Sequence, residues 1–232
     1  MTIRPTELSR GLKNVAYQVK SFKPLEDPIL GEAYVEGHKR VLIDFGVNID
    51  ISSSDREWLN SKDVVAIGLF FGIEMVGGVK LHFGGVDKLP FASNVKGAFL
   101  SDILLPNFPD STSCEVCGLW LDKNHLKRGL SEVLVRAAIA LWQSSDSKVI
   151  FTFASQYTLS MTIDLGFEVV PISPLKAWLP YPTDDFKSYV LFQNSNSDNY
   201  IKSAHRKVLT EIRRQDGALL YSENGFVFKY EI

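Results

Sequence analysis

The sequence predicts one α/β layer, with helices packed on a mixed sheet. Three observations carry that expectation. Beyond residue 110, strand-like and helical stretches alternate, an order that builds a sheet covered by helices. The best helix, Leu130 to Trp142, shows one apolar stripe: Leu130, Val133, Leu134, Ala137, Ala138 and Leu141. The composition is that of an ordinary folded domain, with 232 residues, 45% hydrophobic, 12% aromatic and 22% charged. Such a chain buries roughly 70–75% of its unfolded surface.

The elements follow in order. Two strand-like runs, Asn14 to Phe22 and Val64 to Phe71, bracket a helical stretch, Ile29 to Asp44, in which Leu30, Ala33, Tyr34, Val41 and Leu42 recur at helical spacing. Gly46 to Asp63 holds Asn48, Ser52, Ser53, Ser54 and Asp55, all turn or cap formers. Gly72-Ile73-Glu74-Met75 separates the second strand from Val76 to Phe83, where Val79, Leu81 and Phe83 alternate, a β-hairpin signal. Gly84 to Pro109 reads as an irregular excursion, with a helical turn or two in Gly97 to Leu105. Excursions of this length are often lids or substrate-binding segments.

Strand character returns at Cys114 to Leu121, and the helix Leu130 to Trp142 ends at Ser144 to Ser147. Lys148 to Ala154 is a β-rich run. A second helix fits Gln156 to Asp164 and stops at Leu165-Gly166, where glycine suits a left-handed C-terminal position. Phe167 to Pro171 and Tyr189 to Gln193 read as strands, and Asn194 to Asn199 as a polar joint. A cationic helix, Tyr200 to Arg214, and a terminal strand with Phe226, Phe228, Tyr230 and Ile232 on one face complete the chain. Residues 1–193 thus form the main layer. Residues 194–232 form an appendix that packs on the same domain or on a partner subunit, as in a homodimer.

Charge narrows the function. Twenty-seven acidic against 25 basic side chains leave a net charge of −2, without the broad basic surface that grips nucleic acid. Met1 to Arg10 carries Arg4, Glu7 and Arg10 and no apolar core, so no secretory signal is expected. The most apolar run, Val64 to Val79, is cut by Glu74 and four glycines, which argues against a membrane span. Cytoplasm is the expected location. Cys114 and Cys117 lie three residues apart on a strand, so their side chains face opposite ways, and His125 alone cannot complete a tetrahedral zinc site. Thiols are expected, and no metal.

The block Cys114 to Val170 carries the chemistry. A strand ends in a loop holding Lys123, His125, Lys127 and Arg128, and Gly129 then opens the strongest helix. Free N–H groups around Lys127 to Leu130, the positive helix end and the basic side chains together favour a phosphate or pyrophosphate. The bland alternative is a solvated turn. His125 itself reads as an exposed loop residue, since nothing near it in sequence selects a tautomer.

This block resembles the GCN5-related N-acyltransferases, whose pyrophosphate loop reads Arg/Gln-x-x-Gly-x-Gly/Ala. The matching stretch is Leu126-Lys127-Arg128-Gly129-Leu130-Ser131, with the central Gly129 in place and Leu126 and Ser131 departing from the pattern. The hairpin Gly77-Gly78-Val79-Lys80-Leu81, the excursion ending at Leu105-Pro106-Asn107-Phe108-Pro109, and Glu115-Val116-Cys117-Gly118-Leu119-Trp120-Leu121 resemble the autoinducer-synthase branch. That branch comprises acyl-homoserine-lactone synthases and long-chain N-acyl amino acid synthases. Its strand typically reads Glu-Ile/Leu-Ser-Arg. Glu115 matches, Cys117 stands for the serine, Gly118 for the arginine, and Lys80 takes another place where these families carry arginine. Neither glycine nor lysine presents the planar fork of a guanidinium.

The resemblance implies a mostly antiparallel mixed sheet flanked by helices, and a donor that is acyl-CoA or the phosphopantetheine thioester of an acyl carrier protein. The acceptor is an amine, with amino acids among the candidates. Glu115 takes the amine proton; as a bland alternative, it caps a turn or pairs with a lysine. Lys127, Arg128, Gly129, Leu130 and Ser131 hold the donor phosphates, and main-chain N–H groups near Leu119 and Leu121 polarise its carbonyl. Cys117, Thr152, Ala154 and Ser155 touch the substrates, and the small Thr152 and Ala154 leave room for a chain longer than acetyl. Thr162 stands where ordinary acetyltransferases carry a thiolate-protonating tyrosine, with Tyr157 five residues away. A conventional acetyltransferase and a non-catalytic acyl-binding module remain as rivals. Lys202, Arg206, Lys207, Arg213 and Arg214 form either a solvated face or a dock for an acidic partner such as an acyl carrier protein.

Overall fold

A computed structural model describes residues 16–46, 56–95, 99–108, 112–172, 177–181, 186–195, 200–214 and 217–232. Expectations for Met1 to Val15, Asn48 to Asp55, Gly97, Pro109 and residues 196–199 lie outside the described residues. The elements run β1 (Ala16–Phe22), α1 (Pro28–Asp44), β2 (Val64–Phe71), β3 (Glu74–Gly84), α2 (Leu105–Asn107), β4 (Ser113–Leu121), α3 (Leu130–Gln143) and β5 (Val149–Ser155). They continue through α4 (Leu159–Asp164), β6 (Glu168–Val169), β7 (Leu179–Pro180), β8 (Lys187–Asn194), α5 (Ser203–Arg214), β9 (Leu219–Glu223) and β10 (Phe226–Glu231).

All these strands join one sheet, ordered β6-β8-β5-β4-β3-β2-β1-β10-β9, with β7 also paired to β8. The neighbours are antiparallel except β4–β5 and β1–β10, which are parallel. One face is covered by α3 and α5, the other by α1 and the excursion after β3.

Local chemistry explains the main elements. α1 begins where Pro28 presets the helical φ and the Asp27 carboxylate accepts the Leu30 N–H at 3.1 Å. Gly166 ends α4 at φ +95°, the left-handed position expected for it. α3 is buried well beyond its predicted stripe: Val135, Arg136, Ile139 and Ala140 are buried too. The sheet takes one side of this helix, and α5 packs alongside it. Arg136 reaches the Glu223 carboxylate of β9, so the extra face carries a paired charge.

Three expectations need correction. The appendix carries a second strand: β10 lies between β1 and β9, and β9 forms the rim. The appendix is therefore a helix and two strands, joined by Asn224-Gly225 at φ +51° and +80°. Such an Asn-Gly pair is a standard hairpin turn and was legible in the sequence. The run Phe167 to Pro171 contracts to β6, and the helix after β5 starts at Leu159, with 156–158 in a turn.

The excursion is compact rather than loose. It contains 3₁₀ turns at Val86–Lys88 and Pro90–Ser93, then a π-helical turn, Phe99–Leu104, that runs into α2. Phe91, Phe99, Leu104 and Phe108 pack on Phe151, Val190 and Phe192 of β5 and β8. This apolar cluster seals one face of the sheet beside Glu115.

Candidate active site

The site begins with a broken strand pair. β4 and β5 are paired from Ser113↔Val149 only to Val116↔Thr152, although both strands continue. The cause is a bulge on the other side of β4. Against β3, Trp120 faces Gly78 and Cys117 faces Lys80, so Gly118 and Leu119 together oppose Val79. A bulge bends its strand and strengthens the local twist, which here carries β4 away from β5. Gly118 adopts φ +63°, and a Cβ there would stand 3.0 Å from the Tyr34 hydroxyl and 3.1 Å from Lys80 Cε. Its carbonyl accepts the Tyr34 O–H. Glycine at this position is thus a requirement of the backbone, independent of the side chain that other proteins place there.

The wedge between the strands opens into a cavity of about 770 Å³. His38 and Leu42 of α1, Trp58, and Pro90 and Phe91 of the excursion line one side; Val135 of α3 with Met161 and Thr162 of α4 line the other. Between them stand Lys80 and His82 of β3, Glu115, Cys117 and Leu119 of β4, and Thr152, Phe153, Ala154 and Ser155 of β5. A cavity of this size falls in the range of small-ligand sites.

The polar groups converge because strand residues two apart share a face. Lys80 and His82 alternate along β3, and opposite them lie Cys117 and Glu115 respectively. Glu115 is 2% exposed, and its carboxylate accepts the Phe91 N–H at 2.8 Å. Burial pushes this carboxyl up to about 8, against the opposing pull of the Phe91 hydrogen bond and the Lys80 charge. Lys80 is itself buried, its Nζ 4.5 Å above the Trp58 ring. Burial, then Lys80, lowers His82 to about 3, so its imidazole is neutral at physiological pH. Burial first, and Glu115 second, raise the Cys117 thiol well above its ordinary range. Cys114 faces away into the α3 core, and both cysteines are free thiols.

No protein-family model matches the chain, and no curated protein matches its sequence. Solved structures do match its shape. FeeM, an N-acyl amino acid synthase from uncultured soil microbes, superposes with a TM-score of 0.61 at 16% identity, over 80% of this chain and 94% of that one. BjaI, a CoA-dependent acyl-homoserine lactone synthase solved with SAM and isopentyl-CoA, gives 0.54 at 16% identity, over 87% and 91%. Arabidopsis thaliana NAA60 in complex with acetyl-CoA gives 0.51 at 12% identity, over 77% and 98%. The chain has the GCN5-related N-acyltransferase fold.

Within this N-acyltransferase fold the start of α3 leaves main-chain N–H groups open. Lys127 and Gly129 adopt φ +61° and +72°, and the Val133 N–H bonds the Gly129 carbonyl, so the preceding first-turn N–H groups have no intrahelical acceptor. Lys127 is exposed. Arg128 donates to the Tyr17 hydroxyl at 3.0 Å and lies 5.6 Å from the Phe226 ring. Tyr17 in turn reaches His125 Nδ1 at 2.9 Å. His125 is therefore not the exposed, unoriented residue expected: it is half-buried, with its ring also against Phe71. Lys123 pairs with Asp44.

The expected site residues divide into groups. Glu115, Cys117, Leu119, Thr152, Ala154 and Ser155 meet at one cavity. Lys127, Arg128, Gly129, Leu130 and Ser131 form the helix start, where Leu130 turns its side chain into the core. Leu121 lies outside the cavity, packed in the core against Gly77. Thr162 lines the cavity, but its hydroxyl donates to the Leu159 carbonyl at 2.8 Å. Tyr157, 75% exposed, lines it as well. Sequence reasoning missed His82, Trp58 and His38. The i, i+2 spacing from Lys80 could have found His82; Trp58 and His38 carried no such signal.

Proposed function

We propose that the chain is an N-acyltransferase that moves an acyl group from a phosphopantetheine thioester, acyl-CoA or acyl carrier protein, to an amine acceptor of the amino-acid class. The observation that carries this reading is the wedge between β4 and β5, with a buried carboxyl group in its wall. A thioester arm threads the wedge while its phosphates meet the N–H groups and Lys127 at α3. Main-chain N–H groups of β4 beyond Val116, released from β5, polarise the thioester carbonyl.

The amine nitrogen then attacks the carbonyl carbon as its proton passes to Glu115, directly or through water. The carbon–sulfur bond breaks, the amide remains, and the thiolate is reprotonated by solvent or by the Tyr157 hydroxyl. Lys80, a buried cation in the wall, supports an acceptor that carries a carboxylate. Thr152 and Ala154, small and beside the wedge, support a chain longer than acetyl. The same reading treats residues 194–232 as an appendix to the catalytic layer, supported by the β1–β10 pairing and the Arg136–Glu223 ion pair.

Incubation with octanoyl-CoA and each common amino acid, followed by thiol titration and mass spectrometry, tests the proposal. An N-octanoyl amino acid is the expected product. Turnover with acetyl-CoA alone would mark a conventional acetyltransferase, and no transfer from any thioester would mark a binding module. The chain has no helix, among the described residues, long and apolar enough to cross a membrane.

A further inference from the structure

We infer that His82 is an acceptor-binding residue: its imidazole, lining the cavity across β3–β4 from Glu115, hydrogen-bonds the acceptor amine and holds it at that carboxyl group. This rests on the acyltransferase reading and names the group that orients its nucleophile.

Three observations lead there. His82 and Glu115 are register partners on adjacent antiparallel strands, and both line the cavity. Facing side chains at such positions lie about 5 Å apart at Cβ, so a small group between them can touch both. Second, His82 Nε2 is buried with no hydrogen-bond partner. Buried polar atoms nearly always have one, and an orphan beside a cavity is a position for a ligand or water to fill. Third, the low proton affinity of this imidazole keeps it uncharged. A neutral ring offers a lone pair to an amine N–H and does not repel an ammonium group as a second cation would.

The position of Lys80 sharpens the acceptor class. Lys80 and His82 stand two residues apart on one face of β3, about 7 Å along the strand. An α-amino acid, whose carboxylate and amine are separated by one carbon, bridges that interval with its carboxylate at Lys80 and its amine at His82. The amine then lies opposite Glu115.

The test uses octanoyl-CoA with the common amino acid that the wild-type chain acylates fastest. His82→Phe keeps a ring of similar shape and removes the hydrogen bond. The expected result is an acceptor KM raised about tenfold or more, with the octanoyl-CoA KM changed by less than about twofold. His82→Gln, which retains an acceptor atom on a flexible side chain, should recover most of the loss. An unchanged acceptor KM in His82→Phe, an equal rise in both KM values, or a His82→Gln no better than His82→Phe overturns the inference while leaving the acyltransferase intact. Should His82→Phe lose cooperative melting, His82→Ala is read by the same criteria. A wild-type chain that acylates no amino acid overturns both readings together.

Discussion

The substitution Glu115→Gln separates catalysis from stability with one atom exchanged. Glutamine keeps the oxygen that accepts the Phe91 N–H and keeps the volume, but it cannot take a proton. Glu115 is held near pKa 8, against an ordinary value of 4.5, chiefly because burial disfavours its charge. The folded chain therefore holds this proton more tightly than the unfolded chain. Its contribution to stability is complete below pH 4.5 and is lost progressively as pH rises towards 8. At pH 7 the loss amounts to about 3 kcal/mol, at about 1.4 kcal/mol per pKa unit.

Glutamine has no such loss. Glu115→Gln should match the wild type near pH 4.5 and exceed it at pH 7, moving the urea midpoint up by about 1 M or more. Its turnover should meanwhile fall by roughly 10²–10⁴-fold, the usual contribution of a positioned base. In the wild type, turnover should rise about tenfold per pH unit until it levels near 8, as the ionised carboxylate accumulates. Thiol release followed from about pH 6 to about pH 9 and urea unfolding at two pH values provide the readouts. Undiminished turnover in Glu115→Gln removes the carboxylate from the chemistry. A variant no more stable than wild type at neutral pH refutes the argument from burial.

Two further changes probe the walls of the wedge. Ala154→Phe fills the cavity on β5 and should lower octanoyl-CoA turnover at least about tenfold while leaving acetyl-CoA turnover within about twofold; equal losses for both donors would place the acyl chain elsewhere. Gly118→Ala puts a Cβ at φ +63° against Tyr34 and Lys80. It should cost about 1–2 kcal/mol from the backbone alone, lowering the melting temperature by several degrees, and an unchanged melt would show that the bulge does not need its glycine.

Much of the fold was legible because local pattern and tertiary demand agree. The stripe on Leu130 to Trp142, the alternation in Val76 to Phe83 and the glycine at 166 each report a local geometry that the finished sheet also requires. The misses differ in kind. β9 is five residues long and pairs with β10 across Asn224-Gly225, a local turn signal that the sequence carried. The burial of α3 around a second face is invisible in α3 alone, because α5 and β9 supply it from far along the chain.

The same division runs through the site. Sequence alone singled out the strand carrying Glu115, the glycine-opened helix with Lys127 and Arg128, and the small residues Thr152 and Ala154 as candidates, since residue type, spacing and motif are local properties. Only the tertiary structure decided what surrounds them. A bulge at Gly118 separates β4 from β5, the excursion brings the Phe91 N–H onto Glu115, and strand register sets His82 opposite that carboxyl group. Those relations join segments tens of residues apart in the chain. A proton affinity near 8 or an orphaned imidazole nitrogen arises from neighbours that pairing and packing deliver, so no window of sequence contains it.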